Sequence, residues 1–213
     1  MEYTRIDSHG ISYLEKLDGT DWQWGMDYTC GDLFEAEQLF QDEQEIRQNR
    51  LVFVRYPEPR LYEPLKAWEG QYFGKPCFDG GRIYFLLVDF QQKEILIYRC
   101  ASDMESATVQ VRLPLGMVPD CYNLMLHGSP LTLTRQGHEN VLQVVWPDKG
   151  SFPIDPAESL DCRDGDQLIF SQWHEDPEYR EEVVVRKYPD GEVLERMDGT
   201  LMTMPDGRKW LFA

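Results

Sequence analysis

Short apolar runs rich in β-branched and aromatic residues alternate with polar turn residues along most of this chain. Residues 83–88 form the longest such run, residues 95–98 form a second, and the segment between them is polar apart from Phe90. Paired runs of this kind predict an antiparallel hairpin. Because the first run is apolar at every position, we expect its strand to be covered on both faces, inside a layered β architecture.

Comparable pairs of runs recur along the sequence. They comprise residues 51–54 with 61–62, 131–134 with 141–146, 167–170 with 183–188 and 192–195, and a terminal pair around Asp206-Gly207. Asp and Gly tolerate the positive φ angles of tight hairpin turns, so Asp-Gly dipeptides indicate where strands reverse. Six occur here: Asp18-Gly19, Asp79-Gly80, Asp164-Gly165, Asp190-Gly191, Asp198-Gly199 and Asp206-Gly207.

The spacing of these paired runs favours a repeat architecture. The units recur at roughly 35 to 45 residues, which is the length of a β-propeller blade. We therefore predict a single mainly β domain over residues 1–213, built as a small propeller-like ring of about five units, with the two chain ends joined in one closing unit. A two-sheet β-sandwich is the alternative. Residues 148–156, which contain glycine and prolines, are interpreted as a long loop between units.

One segment departs from the β pattern. Asp32 followed by Glu35 has the spacing of a capping box, and the following apolar positions form a partial helical stripe without β-branched residues. The sequence therefore predicts one short helix, from about residue 33 to residue 41.

Composition limits the classes of partner. The chain carries 38 acidic and 21 basic side chains, which gives a formal net charge of −17. Such a surface repels phosphate backbones and anionic lipid headgroups, so neither nucleic acid nor a membrane is expected as a partner. The five cysteines are odd in number and widely separated, and no export signal is visible, which favours a cytoplasmic location.

A stretch of aromatic and acidic residues from 18 to 28 offers a candidate ligand site. If residues 21–26 are extended, Trp22 and Trp24 project from one face, beside Asp21 and close to Asp27 and Tyr28. Aromatic planes near carboxylates are what a sugar-like ligand stacks upon. The sequence thus permits a carbohydrate-binding or glycoside-hydrolase-like protein with its site around residues 21–35, although tryptophans in β proteins more often fill the core.

A second candidate is the acidic connection between two predicted strands, over residues 173–182. Trp173, His174, Glu175 and Asp176 begin this segment, and five of its ten residues are acidic. An exposed acidic segment accelerates association with a positively charged surface, so we interpret these four residues as a candidate docking loop for a protein partner. A purely solubilising loop is the alternative.

No motif in the sequence indicates a cofactor, a metal site or a catalytic group. The four histidines are isolated, and the sequence contains no Cys-x-x-Cys pair, phosphate-binding glycine loop or nucleophile elbow. We therefore expect no cofactor or metal and do not favour an enzyme. The leading hypothesis is a non-catalytic cytoplasmic interaction or scaffold protein with a protein partner; a carbohydrate ligand is the alternative.

Overall fold

The computed structural model describes residues 3–175, 178–204 and 208–213. Its fold is mainly β: four antiparallel sheets in a ring form a four-bladed β-propeller with one short helix. This confirms the predicted propeller over the two-sheet sandwich, but the number of units is four rather than five. The contacts within the chain define two compact units, residues 1–121 and residues 122–213.

The first unit contains two four-stranded sheets in which consecutive strands pair. The first sheet consists of β1 (Glu15–Lys16), β2 (Trp22–Met26), β3 (Leu51–Arg55) and β4 (Glu58–Tyr62). The second consists of β5 (Gln71–Asp79), β6 (Arg82–Asp89), β7 (Glu94–Cys100) and β8 (Ala107–Pro114). The predicted hairpins β3–β4 and β6–β7 are confirmed.

The second unit contains the other two four-stranded sheets and a two-stranded one. The third sheet consists of β9 (Leu124–His127), β10 (Thr132–Gln136), β11 (Val141–Trp146) and β12 (Gly150–Pro153). The fourth consists of β13 (Glu158–Asp164), β14 (Gln167–His174), β15 (Arg180–Lys187) and β16 (Val193–Asp198). The last hairpin pairs β17 (Thr200–Thr203) with β18 (Lys209–Phe212).

Two expectations about chain organisation are wrong. Residues 148–156 are not simply a loop, since β12 lies within them at the edge of the third sheet. The described parts of the two chain ends do not share a closing sheet: β1 begins the first sheet, whereas β17 and β18 pair with each other. The terminal hairpin is thus an addition to the four sheets.

Most of the predicted Asp-Gly turns are hairpin turns. Four of them connect paired strands and carry a glycine with positive φ: Asp18-Gly19, Asp79-Gly80, Asp164-Gly165 and Asp190-Gly191. Asp198-Gly199 is not a hairpin turn, because it connects β16 to β17 and these strands pair with different partners. Asp206-Gly207 lies outside the described residues.

The helix α1 (Leu33–Gln41) has the predicted bounds, and its capping box is formed. The Asp32 carboxylate accepts hydrogen bonds from the backbone N–H groups of Phe34 and Glu35, both at 2.9 Å. The Glu35 carboxylate accepts in return from the Asp32 N–H at 2.8 Å. These bonds satisfy N–H groups that the first helical turn leaves unpaired. No helix among the described residues is long and apolar enough to cross a membrane.

Each unit has its own apolar core. In the first unit one cluster joins the inward faces of both sheets, and Phe85, fully buried, stacks on Tyr98 at 5.4 Å and meets Phe73 edge-on at 5.6 Å. In the second unit one cluster includes Phe152 and Phe170, and a smaller one covers the other face of the fourth sheet. Aromatic packing of this kind supplies a large part of core stability.

Acid is expected to weaken the second unit through His127. Its ring is 8% exposed and lies 2.9 Å from the Thr134 hydroxyl, and burial lowers the pKa of His127 from 6.5 to about 4. Between pH 4 and pH 6.5 the folded state therefore binds fewer protons than the unfolded state. This contribution is complete above pH 6.5 and is lost as the pH falls to about 4, which amounts to about 3 kcal/mol.

Urea unfolding at a series of pH values measures this effect. The His127→Gln variant cannot titrate, so its stability is expected to fall less steeply than that of the wild-type protein between pH 6.5 and pH 4. Equal slopes for the two proteins would show that His127 does not contribute to acid sensitivity.

Candidate functional site

The two predicted ligand-binding tryptophans lie on β2 and both pack against the core of the first unit. Trp24 is 4% exposed. Trp22 is half-buried and meets the Tyr62 ring edge-on at 5.3 Å. The guanidinium carbon of Arg55 lies over the Trp22 ring, 5.7 Å from the centre of the ring. Arg55 Nε donates to Asp21 at 2.7 Å, so this carboxylate already has a cationic partner. Trp22 and Asp21 are thus engaged within the first sheet.

Trp24, Asp27 and Tyr28 belong to a surface pocket. Residues 10–13, Glu15 and residues 24–29 line it, and its volume is about 280 Å³. The hairpin β1–β2 places Glu15 directly opposite Trp24. A Cβ atom on Gly25 would lie 2.7 Å from Ile11 Cγ2, so the chain before β1 passes close over this glycine. The pocket therefore combines three predicted residues with a neighbouring segment that the sequence analysis did not include.

The electrostatic character of this pocket is negative. The pKa of Tyr28 is raised, first by burial and then by the charges of Glu15 and Asp32. Asp27 accepts a short hydrogen bond from the Thr29 hydroxyl. Neither Glu15 nor Asp27 forms an ion pair with any residue that the structure describes. Two carboxylates that form no ion pair with a described residue therefore line the pocket.

The predicted docking segment begins at the end of β14. Trp173 is 49% exposed and Glu175 is exposed, whereas Asp176 lies outside the described residues. His174 Nε2 lies 3.5 Å from a carboxylate oxygen of Glu182. The tryptophan is therefore available to a partner, while the histidine is turned towards its own sheet.

Glu182 organises the charges beside this segment. Its carboxylate lies 2.6 Å from Arg180 and 3.3 Å from Arg196. Burial raises the pKa of Glu182, but the positive groups of Arg180, His174 and Arg196 together lower it below its usual range. Glu182 is thus ionised and holds β14, β15 and β16 together at this end of the fourth sheet.

The C-terminal hairpin exposes a larger apolar surface. Met202 and Trp210 are cross-strand partners, and Phe212 lies two residues beyond Trp210 on the same face. Each of these three side chains is 51% exposed, and the two rings lie 6.4 Å apart. We call Met202, Trp210 and Phe212 the C-terminal apolar face. The sequence analysis treated this hairpin as structural and did not include these residues in a site.

The opposite face of this hairpin packs on the fourth sheet through Leu201, whereas its cross-strand partner Leu211 stays 41% exposed. Leu201 contacts the small apolar cluster of Ile169, Val183 and Val185, and Lys209 Nζ lies 3.6 Å from Asp164. Because neighbouring residues of a strand point to opposite faces, this packing leaves the C-terminal apolar face directed outward. The hairpin is therefore held in place while its outer face has room for a partner.

Glu181 connects the C-terminal hairpin to the predicted docking segment. It lies directly opposite Trp173 in the β14–β15 pair and accepts a short hydrogen bond from the Thr200 hydroxyl at the start of β17. Trp173 also shares the face of β14 that carries Ile169, which Leu201 covers. The exposed Trp173 and the C-terminal apolar face thus belong to the same side of the fourth sheet.

Burial removes the nucleophilic character of two of the thiols. None of the five cysteines forms a disulfide, and Cys77, Cys100 and Cys121 are buried. Burial raises the pKa of the Cys100 thiol to about 12 and also raises that of Cys77. Since the thiolate is the nucleophilic form, these two cysteines are unreactive at neutral pH.

Among the described residues, no three His, Cys, Asp or Glu side chains lie close enough together to hold a metal ion. No protein-family model matches this chain, and no curated protein shows significant similarity to it. The pocket of the first unit and the C-terminal apolar face are the two features of the described residues that could bind a partner or ligand.

Proposed function

We propose that this protein is a non-catalytic interaction protein that binds a basic protein segment through its C-terminal apolar face. The observation that carries the proposal is the outward exposure of Met202, Trp210 and Phe212 on a hairpin that is anchored to the fourth sheet by its other face. A contiguous exposed patch of large apolar side chains favours an interaction surface over a solvated one. Aromatic residues also contribute most strongly to binding at protein interfaces.

The charge around this face supports a basic partner. Asp198 ends β16, two residues before β17, and lies 3.7 Å from Arg180. Asp164 lies 3.6 Å from Lys209, and both carboxylates are largely exposed. Glu175 is also exposed, next to Trp173. Apolar residues bordered by carboxylates are complementary to a segment that carries apolar side chains among lysines and arginines.

The same charge disfavours a second copy of this chain as the partner. Two molecules with a formal net charge of −17 repel each other, and a symmetric contact would bring the same carboxylates together. A basic protein segment gains from this charge instead. Its association rate is expected to fall as salt screens the attraction.

Replacement of Trp210 by alanine is expected to weaken binding of a basic peptide at least about tenfold, because an exposed aromatic anchor contributes more than about 1.4 kcal/mol. The probe is a synthetic 12-residue peptide in which leucine and phenylalanine alternate with lysine and arginine. NMR titration of the protein's six tryptophan indole signals measures the affinity and locates the contact.

The matched control is Trp68→Ala in the first unit, where Trp68 is 72% exposed. We expect this variant to bind like the wild-type protein and expect the peptide to shift the Trp173 and Trp210 signals. Equal weakening by both substitutions, or equal binding of a peptide with glutamate in place of the basic residues, would overturn the proposal. A dimer that sedimentation detects in the wild-type protein but not in Trp210→Ala would also overturn it, since the occupant would be a second copy.

The cellular location is part of this proposal. Five cysteines without a disulfide, three of them buried, favour a reducing compartment, and we propose the cytoplasm. A partner for the C-terminal apolar face would then be a cytoplasmic protein with an exposed basic segment.

A further inference from the structure

The pocket of the first unit has a composition of its own. Aromatic residues from two segments line it: Tyr13 from the chain before β1, and Trp24 and Tyr28 from β2 and the residues after it. Tyr13 is 72% exposed and Tyr28 is 45% exposed, whereas Trp24 is buried. The two tyrosines therefore stand at the opening, and the tryptophan lies at the inner wall.

Two carboxylates share this space with the aromatic rings. Glu15 and Asp27 both line the pocket, and neither is neutralised by an ion pair within the described residues. Arg50 is affected by the charge of Asp27, but its guanidinium donates two hydrogen bonds of 2.9 Å to Glu63. The pocket thus keeps an unbalanced negative charge beside aromatic rings.

We propose that this pocket binds a small organic ammonium ion. An ammonium group gains from the faces of aromatic rings and from unpaired carboxylates at the same time. Alkyl groups on the nitrogen would contact Trp24 and Met26 at the inner wall, where both side chains are buried. The site lies in the other unit from the C-terminal apolar face, so neither proposal depends on the other.

The side chains that line the pocket argue against a neutral sugar. A sugar hydroxyl both donates and accepts hydrogen bonds, and sugar sites pair it with groups of both kinds. The residues that line this pocket include no Asn, Gln, Arg, Lys or His, and the two carboxylates only accept when ionised. The side-chain donors are hydroxyls and the Trp24 indole N–H, and the Thr29 hydroxyl already donates to Asp27. A cation with several N–H or N–CH₃ groups matches this set better.

The size of the pocket also favours a small ligand. Its volume of about 280 Å³ lies just below the range of about 300–1,000 Å³ that is usual for ligand sites. A single alkylammonium group fits such a space, whereas an oligosaccharide would extend far beyond it.

Choline and its neutral carbon isostere 3,3-dimethylbutan-1-ol provide the sharpest test. They have nearly the same shape, and only choline carries a charge. Isothermal titration calorimetry and shifts of the Trp24 indole NMR signal measure their binding to the full chain. We expect choline to bind roughly tenfold or more tightly than the isostere, with weaker binding in high salt.

Variants then locate the charge. Glu15→Gln and Asp27→Asn keep side-chain size and remove the negative charge, so each is expected to weaken choline binding severalfold. Tyr28→Leu is expected to weaken it as well, through loss of the ring. The matched control is Glu69→Gln, an exposed carboxylate outside the pocket, which should bind choline as the wild-type protein does.

Four outcomes would overturn the inference. The first is equal binding of choline and its isostere, which would identify a purely apolar slot. The second is binding of maltose or glucose without binding of choline, which would favour the carbohydrate hypothesis. The third is no change of the Trp24 signal at millimolar choline. The fourth is equal weakening by Glu69→Gln, which would indicate attraction by overall charge.

Discussion

Replacement of Arg186 by methionine is expected to destabilise the second unit by about 3–5 kcal/mol, because it leaves a buried carboxylate without its main partner. The side chain of Glu158 is fully buried, and Arg186 Nη2 donates to its two oxygens at 2.9 and 2.7 Å. Arg186 Nη1 also donates to the carbonyl of Gly191 at 2.9 Å. Arg196, 3.7 Å from Glu158, compensates in part only.

The matched control is Arg180→Met on the same strand. Arg180 is 52% exposed and pairs with Glu182 near the surface, so its loss is expected to cost less than about 1 kcal/mol. Hydrogen exchange of the β13–β15 amides in the full chain measures both variants. Similar losses of protection would contradict the prediction, since they would mean that Glu158 does not depend on Arg186.

Replacement of Phe85 by alanine is expected to destabilise the first unit by about 3–5 kcal/mol, since it removes a buried ring and leaves a cavity. Phe85 is fully buried between Tyr98 and Phe73, and its ring contacts both. Hydrogen exchange of the β5–β8 amides is expected to show this loss.

The neighbouring residue Tyr84 provides the comparison for Phe85. It lies on the same strand, points to the other face and is only partly buried. Tyr84→Ala is therefore expected to cost clearly less than Phe85→Ala. If the two variants were equally stable, the stacked cluster around Phe85 would not be a main source of core stability.

Much of the fold could be predicted because its turns and caps are local. Four Asp-Gly pairs correctly predicted hairpin turns, and the spacing of Asp32 and Glu35 correctly predicted the start of α1. The predicted number of units was wrong because the repeat spacing was applied evenly to the whole chain. In the structure, β17, β18 and the residues before β1 lie outside the four sheets.

Strands that contain glycine and proline were harder to predict. In β5, a register shift in the pairing with β6 lies between Phe73 and Pro76 and contains Gly74. In β12, Pro153 is tolerated because the strand lies at a sheet edge, and a Cβ on Gly150 would lie 2.4 Å from the Pro189 carbonyl oxygen. These residues resemble loop signals until the tertiary contacts are known.

The candidate sites could be predicted only in part. Asp27 and Tyr28 were identified from their neighbours in sequence, but Glu15 and Tyr13 reach the same pocket through the chain reversal at Asp18-Gly19. The C-terminal apolar face was missed, although one signal was present. The hairpin carries apolar residues on both faces, at Leu201 beside Met202 and at Trp210, Leu211 and Phe212. A strand pair with a single covered face would instead show apolar and polar residues in alternation.

Every sheet is built from strands that follow one another along the chain. Pairing therefore joins segments of small sequence separation, which lowers the entropy lost in closing each loop. During synthesis from the N-terminus, the first sheet has all its strands once residue 62 has emerged, and the second once residue 114 has emerged. The order of strands thus permits the blades to assemble one after another on the ribosome, with the hairpin that carries Trp210 added last.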